Sequence, residues 1–219
     1  MVNGKKMTDK ISIAVCVMNR TDRIIECLSS WIVHEKVDEI VILDWSSNPP
    51  ILDDSDVLQF INNNNKIKHL RIDNQKYYNV SKACNLCIQN TKNKYVLKID
   101  IDHILINSTF LDMICDSLPL LDSRFYSGRH TTVVHWGIVL FDKNIFDKIQ
   151  GYNEKLEGWG YEDSDLYDRM SKIIKEYTFV NIKENIYHKP HDDNLRVANY
   201  KIKDINMSHS INEALSKNE

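Results

Sequence analysis

The chain has 219 residues, of which 42% are hydrophobic and 27% are charged, as in an ordinary globular protein of one domain or two small ones. Its 28 basic and 31 acidic residues give a net charge of −3, which disfavours a nucleic-acid binder, since such proteins carry a basic excess. No apolar run approaches the roughly 18 to 20 residues that cross a bilayer, and the polar start MVNGKKMTDK is unlike a signal peptide. We therefore expect a cytoplasmic protein without a membrane anchor.

The first half of the chain alternates strands and helices. Short apolar runs rich in β-branched residues predict strands, and apolar residues three or four positions apart predict helices. The predicted strands are 11–18, 39–44, 67–72 and 95–100, and the predicted helices follow Thr21 and cover 54–61 and 81–89. Such alternation indicates βαβ units and a parallel sheet, with ligands bound beyond the carboxyl ends of the strands. Asp44 and the pair Asp100 and Asp102 lie at or just beyond such ends.

The second half is less regular. We predict strands at 132–141 and 178–182 and helices at 143–149 and 163–175, followed after about residue 195 by a polar tail or helix. The five cysteines, an odd number without framework spacing, indicate free thiols. Cys84 and Cys87 match C-x-x-C, but they share a helix face and no second pair completes a zinc site. Burial is therefore favoured over redox or metal chemistry.

An acidic pair, Asp100 and Asp102, follows the fourth predicted strand. In an extended segment these residues point the same way, so their carboxylates converge. Hard anionic oxygens of this kind suit Mg²⁺ or Mn²⁺, whereas the alternative is a solvated loop. His188, in the segment YHKPHDD, could add a neutral imidazole to the same metal. Whether His191 or His103 also contributes stays open.

The segment GYNEKLEGWGYEDSDLYDR, residues 151–169, combines glycines, aromatic residues and acids. The Gly-Trp-Gly sequence around Trp159 permits a tight loop with an exposed indole, which is a platform for a sugar ring. Glu162 and Asp163 then begin a helix, where capping and the helix dipole alone favour acidic residues. Lys82 and Arg20 could meet a phosphate, although a surface position is the simpler interpretation. No P-loop, dinucleotide or nucleophile-elbow motif occurs.

These blocks together resemble a GT-A glycosyltransferase of the family 2, β-1,4-galactosyltransferase and chondroitin-polymerase type. ISIAVCVMNRTDRI is similar to the family's first strand and Asn-Arg turn, VILDWSS to its "VVDDGS" step, NVSKACNLCI to its "G-x-S-x-A-R-N" helix, and IDID to its D-x-D. GWGYEDSDLYDR resembles "GWGGEDDDIYNR", and NIYH resembles the loop of its metal-binding histidine. Trp45 replaces a second acid, and Cys84 stands where arginine is usual, so we expect Lys82 to compensate.

The resemblance implies an α/β GT-A fold, with a Rossmann-like, mostly parallel central sheet flanked by helices in a single domain. It further implies a polar tail at 1–9, a catalytic domain at 10–195 with a nucleotide-binding half (10–102) and an acceptor and metal half (103–195), and a polar tail or helix at 196–219. The residues implied to bind the nucleotide-sugar are Val17, Asn19, Arg20, Asp44, Lys82, Asn85, Asp100 and Ile101.

For the remaining site, the resemblance implies a metal-dependent inverting transfer of a hexose or N-acetylhexosamine from a UDP-sugar to a glycan, protein or lipid-linked acceptor. Asp102 and His188 would hold Mn²⁺ or Mg²⁺, and Asp100 would reach the ribose or the metal through water. Asp163 would be the base and Glu162 would orient hydroxyl groups; the Glu-Asp pair favours an inverting enzyme. The residues implied to contact sugars are Trp136, Gly137, Trp159 and Gly160.

Two alternatives remain. A catalytically degenerate domain that binds sugar or nucleotide would keep Trp159, but here both sets of acids also survive. A nucleotidylyltransferase should carry a glycine-rich phosphate loop near its first strand, and CVMNRTDR contains no glycine. The sugar, the acceptor and the oligomeric state are not predicted.

Overall fold

The structure is a computed structural model that describes residues 10–107, 109–115, 124–128, 135–174, 176–179 and 184–218. It contains a central seven-stranded sheet and a separate two-stranded sheet. The strands are β1 (Ile11–Val17), β2 (Val37–Trp45), β3 (Ile67–Ile72), β4 (Tyr95–Lys98), β5 (His103–Leu105), β6 (Arg124–Ser127), β7 (Val139–Asp142), β8 (Glu176–Phe179) and β9 (Ile186–His188). The helices are α1 (Ile24–Ile32), α2 (Ser55–Asn62), α3 (Val80–Gln89), α4 (Phe110–Cys115), α5 (Lys143–Lys148), α6 (Glu162–Ile173), α7 (Asp193–Val197) and α8 (Ile205–Lys217).

The strands of the large sheet lie in the order β3-β2-β1-β4-β7-β6-β8. The four strands of the first half pair in parallel, as expected for βαβ units, and β6 also pairs with β8 in parallel. Strand β7 is antiparallel to both of its neighbours. The expected α/β fold with a mostly parallel sheet is confirmed.

Two apolar layers cover the faces of this sheet. Alternate side chains of β1 enter them: Ile13 and Val15 pack with α1 and α2, whereas Ala14 packs with α3, α5 and α6. Helix α1 turns its apolar stripe, including Leu28 and Trp31, fully into the first layer. Each such buried side chain contributes roughly 1.5–3 kcal/mol, which fixes the strand ends that carry the acidic residues.

The second half differs from the prediction. Strand β7 begins at Val139 rather than at 132, and residues 132–134 lie outside the described residues. Strand β8 covers 176–179 rather than the predicted 178–182. Residues 180–182 also lie outside the described residues. Strands β5, β6 and β9 and helix α4 have only three to six residues each, too few for a periodic pattern.

The C-terminal segment, predicted to be a polar tail or a helix, forms α7 and α8. Helix α8 buries two polar side chains, Ser208 and Asn212, against the Gly-Trp-Gly loop. Its apolar residues instead face outward, so the hydrophobic pattern gave no sign of the packed side. Among the described residues, no helix is both long enough and apolar enough to traverse a bilayer.

Candidate active site

A cleft of about 310 Å³ opens beyond the carboxyl ends of β1 and β4. This is the edge at which ligands bind in open α/β sheets. Most residues proposed from the sequence line it: Val17, Arg20, Asp100, Ile101, Asp102, Trp136, Gly137, Trp159, Gly160, Glu162, Asp163 and His188. Segments far apart in the chain therefore meet in one place.

Asp102 lies at the centre of a cluster of histidines. Pairing of β5 with β9 sets His103 opposite His188, and the Lys189 amide donates to the Asp102 carbonyl oxygen at 2.7 Å. Asp102 Oδ2 lies 3.2 Å from His191 Nε2 and 3.7 Å from His188 Nε2. The ligand atoms of Asp102, His188 and His191 lie within 4.8 Å of one another. Of the two histidines left open by the sequence, His191 thus lies beside the two predicted ligands, and His103 forms a second such group with Asp100 and Asp102.

Helix α1 and the turn before it hold this cluster from behind. The buried Arg23 guanidinium donates to the carbonyl oxygens of Lys189 at 2.9 Å and Pro190 at 3.3 Å. The Trp31 indole donates to the His103 carbonyl oxygen at 3.0 Å. Both sides of the cluster are therefore tied to one helix, which limits their relative movement.

The donor set fits a divalent cation. Burial raises the pKa of Asp102, but interactions with His103, His188 and His191 outweigh it and hold that pKa well below its usual range. Asp102 Oδ1 is buried and, although 2.9 Å from His103 Nδ1, has no hydrogen bond of suitable geometry among the described residues. A buried carboxylate beside two imidazole nitrogens provides oxygen and nitrogen donors that suit a divalent cation.

A second network surrounds Asp163. The Lys98 ammonium group, at the end of β4, lies 2.8 Å from Asp100 Oδ1 and 3.7 Å from Asp163 Oδ1. The Tyr152 hydroxyl donates to Asp163 Oδ1 at 3.1 Å. A Cβ atom added at Gly137 would overlap the Asp100 carboxylate, so this close approach requires glycine.

Glu162 and Asp163 begin α6 directly after Tyr161, which adopts the left-handed conformation (φ 73°). Burial raises the pKa of Glu162 to about 8, and the negative charge of Asp163 adds to this effect. Burial also raises the pKa of Asp163, which Lys98 counteracts. Glu162 Oε2 has no hydrogen-bond partner among the described residues. The two neighbouring carboxyl groups therefore differ: Glu162 favours the neutral form and Asp163 has a cationic partner.

The Gly-Trp-Gly loop is fixed by α8. The Trp159 amide donates to Ser208 Oγ at 2.8 Å, and the Asn212 side chain donates to the Gly160 carbonyl oxygen at 2.8 Å. The Arg196 guanidinium lies over the Trp159 ring, 5.2 Å from its centroid. Trp136, which also lines the cleft, accepts a hydrogen bond at its carbonyl oxygen from the Tyr167 hydroxyl.

Four predicted nucleotide-binding residues are not among the described residues that line the cleft. Asp44 is fully buried and accepts hydrogen bonds from Arg71 and from the amides of Ser47 and Ile51. Asn85 is bonded to both backbone groups of Tyr152. Asn19 (φ 57°) bonds Asn48 and Asn199, and Lys82 is exposed on α3. In this structure Asp44, Asn85 and Asn19 all hold loops around the cleft.

Other lining residues were not singled out from the sequence. In the sequence, Lys98 has the pattern of an ordinary strand residue. Its one distinguishing feature is that it is a lysine within the apolar run YVLKID. Tyr200 and His209 come from the segment predicted as a tail. His135 contacts the His103 and His188 rings. Burial, and then the charges of these two histidines, lower its pKa to about 4.

All five cysteines are free, and Cys84 and Cys87 are buried, in keeping with a structural role.

Known proteins agree with this architecture. A family model described as the N-terminal domain of galactosyltransferase matches residues 122–192. Crystal structures of S. aureus TarS superimpose well: its complex with UDP-GlcNAc is 15% identical, with a TM-score of 0.67, and the match covers 84% of this chain and 59% of that one. The mannosyltransferase PcManGT from Pyrobaculum calidifontis, in complex with GDP-Man and Mn²⁺, is 13% identical with a TM-score of 0.64 and coverages of 80% and 55%. No curated protein matches in sequence.

The chain has the GT-A glycosyltransferase fold, as its motifs predicted. The match to the S. aureus TarS 1-349 structure spans about three fifths of that chain, since it covers 60% of it. At such low identity these structures define the fold alone. The family model matches the part of the chain that runs from β6 to β9.

Proposed function

We propose that the chain is a metal-dependent, inverting glycosyltransferase that moves a hexose or N-acetylhexosamine from a UDP-sugar to a hydroxyl group of a glycan, protein or lipid-linked acceptor. The observation that carries this proposal is that one cleft contains both Asp102 with its two histidines and the pair Glu162 and Asp163. A nucleotide-sugar transfer requires a site for the diphosphate and a base for the acceptor, and the cleft brings together candidates for both.

Asp102, His188 and His191 would hold Mn²⁺ or Mg²⁺. When bound, the cation would act as a Lewis acid that stabilises the negative charge of the departing UDP. The Arg20 side chain, anchored to the Leu195 carbonyl oxygen at 3.1 Å, lines the same end of the cleft and supplies a further positive charge for a diphosphate. Support for the cofactor also comes from PcManGT, whose structure contains Mn²⁺ with GDP-Man.

Asp163 would accept the proton of the acceptor hydroxyl group. Its ion pair with Lys98 favours the anionic form that a base requires, despite burial. Glu162, with a pKa of about 8, keeps its proton near neutral pH and can donate a hydrogen bond to a sugar oxygen. Trp159 and Trp136 both line the cleft and would contact the sugar rings.

The test is a screen for UDP release with Mn²⁺ and the common UDP-sugars, with and without simple acceptors, repeated in EDTA. We expect one donor to give metal-dependent UDP release, and Asp102→Asn to abolish it. Asp56→Asn, an exposed acid in the first turn of α2, is the matched control and should retain full activity.

Absence of UDP release with every donor, together with no calorimetric binding of UDP and Mn²⁺, would overturn the proposal. Binding of UDP and Mn²⁺ without turnover in the presence of acceptors would instead support the alternative, a degenerate domain that binds nucleotide-sugar.

A further inference from the structure

Lys98 is a buried cation whose role in the cleft no sequence motif suggests. It is the last residue of β4, paired with Ala14 of β1 on one side and with Val139 of β7 on the other. Only 5% of its side chain is exposed. Burying an ammonium group is costly unless opposite charges surround it, so the neighbours of Lys98 must include carboxylates.

The Lys98 ammonium group connects two parts of the active site. At 2.8 Å it contacts Asp100 Oδ1, in the turn that leads to Asp102, and at 3.7 Å it faces Asp163 Oδ1, at the start of α6. Its third neighbour is Gly137, where an added Cβ would come within 3.0 Å of Lys98 Nζ. These three neighbours of Lys98 lie in segments that are distant from one another in sequence, and all of them line the cleft.

The carboxylates that converge here would repel one another without this cation. Asp100 raises the pKa of both Glu162 and Asp163, Asp163 also raises that of Glu162, and Lys98 opposes these effects at both groups. Tyr152 gives Asp163 one neutral hydrogen bond, which fixes one oxygen but adds no charge. A positive charge at position 98 therefore favours the anionic form of Asp163, whose Oδ1 it faces, and also neutralises Asp100.

We propose that Lys98 is a positioning residue for transfer: through its ammonium group it holds the Asp163 carboxylate in the orientation from which it accepts the acceptor proton. The inference rests on the proposed function. Lys98 itself does not act as a base, because the effect of burial is outweighed by Asp100 and Asp163, which hold the pKa of its ammonium group well above the usual value.

The experiment is a double-mutant cycle of Lys98→Met and Asp163→Asn, with kcat of sugar transfer and Kd of UDP with Mn²⁺ measured for each protein. We expect Lys98→Met to lower kcat about 10²-fold, the cost of a base misplaced by about 1 Å, and to change Kd less than about threefold. In the Asp163→Asn background Lys98→Met should have no further effect on kcat, because Lys98 acts through Asp163. Lys94→Met, a half-exposed lysine just before β4, is the matched control and should retain kcat.

Additive effects in the cycle, or a loss of UDP and Mn²⁺ binding equal to the loss of kcat, would overturn the role of Lys98. Lys98→Gln, which keeps a hydrogen-bond donor, is measured in the same cycle. If Lys98→Met fails to fold, this second variant still tests the proposal. An unaltered chain that turns over no donor refutes the proposed function instead, so the two failures are distinguishable.

Discussion

Replacement of Glu162 by glutamine should remove a pH-dependent loss of stability. The carboxyl group is buried, and burial, together with the charge of Asp163, raises its pKa to about 8 from an ordinary 4.5. The folded chain therefore retains this proton up to about pH 8, whereas the unfolded chain releases it near pH 4.5. Because the folded state binds more protons in that interval, the contribution is present at low pH and is lost as pH rises through about 8.

The magnitude follows from the two pKa values. Their difference corresponds, at about 1.4 kcal/mol for each pKa unit, to about 5 kcal/mol in total, of which roughly half falls between about pH 6 and pH 9. Glu162→Gln keeps the shape and a neutral hydrogen-bonding group, so the variant should be spared this loss. The unaltered chain should thus lose about 2–3 kcal/mol more than the variant between these pH values.

Urea unfolding at both pH values, for both proteins, measures this difference directly. Glu35→Gln is the control, because the Glu35 side chain is 87% exposed and its replacement should leave the pH dependence unchanged. Parallel pH dependences of the unaltered chain and Glu162→Gln would refute the reasoning, since they would mean that Glu162 is already ionised in the folded protein.

Three further outcomes are expected. Asp163→Asn should lower kcat about 10²–10⁴-fold while UDP still binds, as measured by turnover and calorimetry; unchanged turnover would remove Asp163 from the mechanism. Arg23→Met should weaken Mn²⁺ binding about 10-fold in a direct titration, because the loop of His188 and His191 loses two hydrogen bonds; equal affinities would mean that α1 does not position these ligands. Leu28→Ala should cost about 2–5 kcal/mol in urea unfolding, since Leu28 is fully buried under β1, and a smaller cost would show that the layer collapses around the cavity.

The first half of the fold could be predicted from the sequence because its elements are long and strongly patterned. Strand β3 matches its predicted range, and β1 and α3 differ from theirs by one residue. These elements carry hydrophobic patterns that local sequence expresses directly. The parallel pairing then located the cleft at the correct edge of the sheet.

The second half could not be predicted in the same way, because its geometry depends on contacts between distant segments. Strands β5 and β9 have three residues each, and only their mutual pairing places His188 opposite His103. Helix α8 is joined to the Gly-Trp-Gly loop by Ser208 and Asn212, polar residues whose burial no hydropathy pattern reveals. Asp44 illustrates the same limit, since its position at a strand end was clear but its pairing with Arg71 of β3 was not.

The two aspartates of the D-x-D motif show what the sequence could and could not reveal. Their carboxylates converge as predicted, since their ligand atoms and that of His103 lie within 4.8 Å of one another. Residues 101 and 102 nevertheless form a turn after β4, and each carboxylate also joins a network of its own. Asp102 faces the histidines, whereas Asp100 contacts Lys98 and, through it, Asp163. The short segment between them therefore connects the candidate metal ligands to the candidate base. Gly137 packs against Asp100 at this point, where a Cβ atom would overlap the Asp100 carboxylate, so a larger residue at 137 would disturb the segment that joins the two networks.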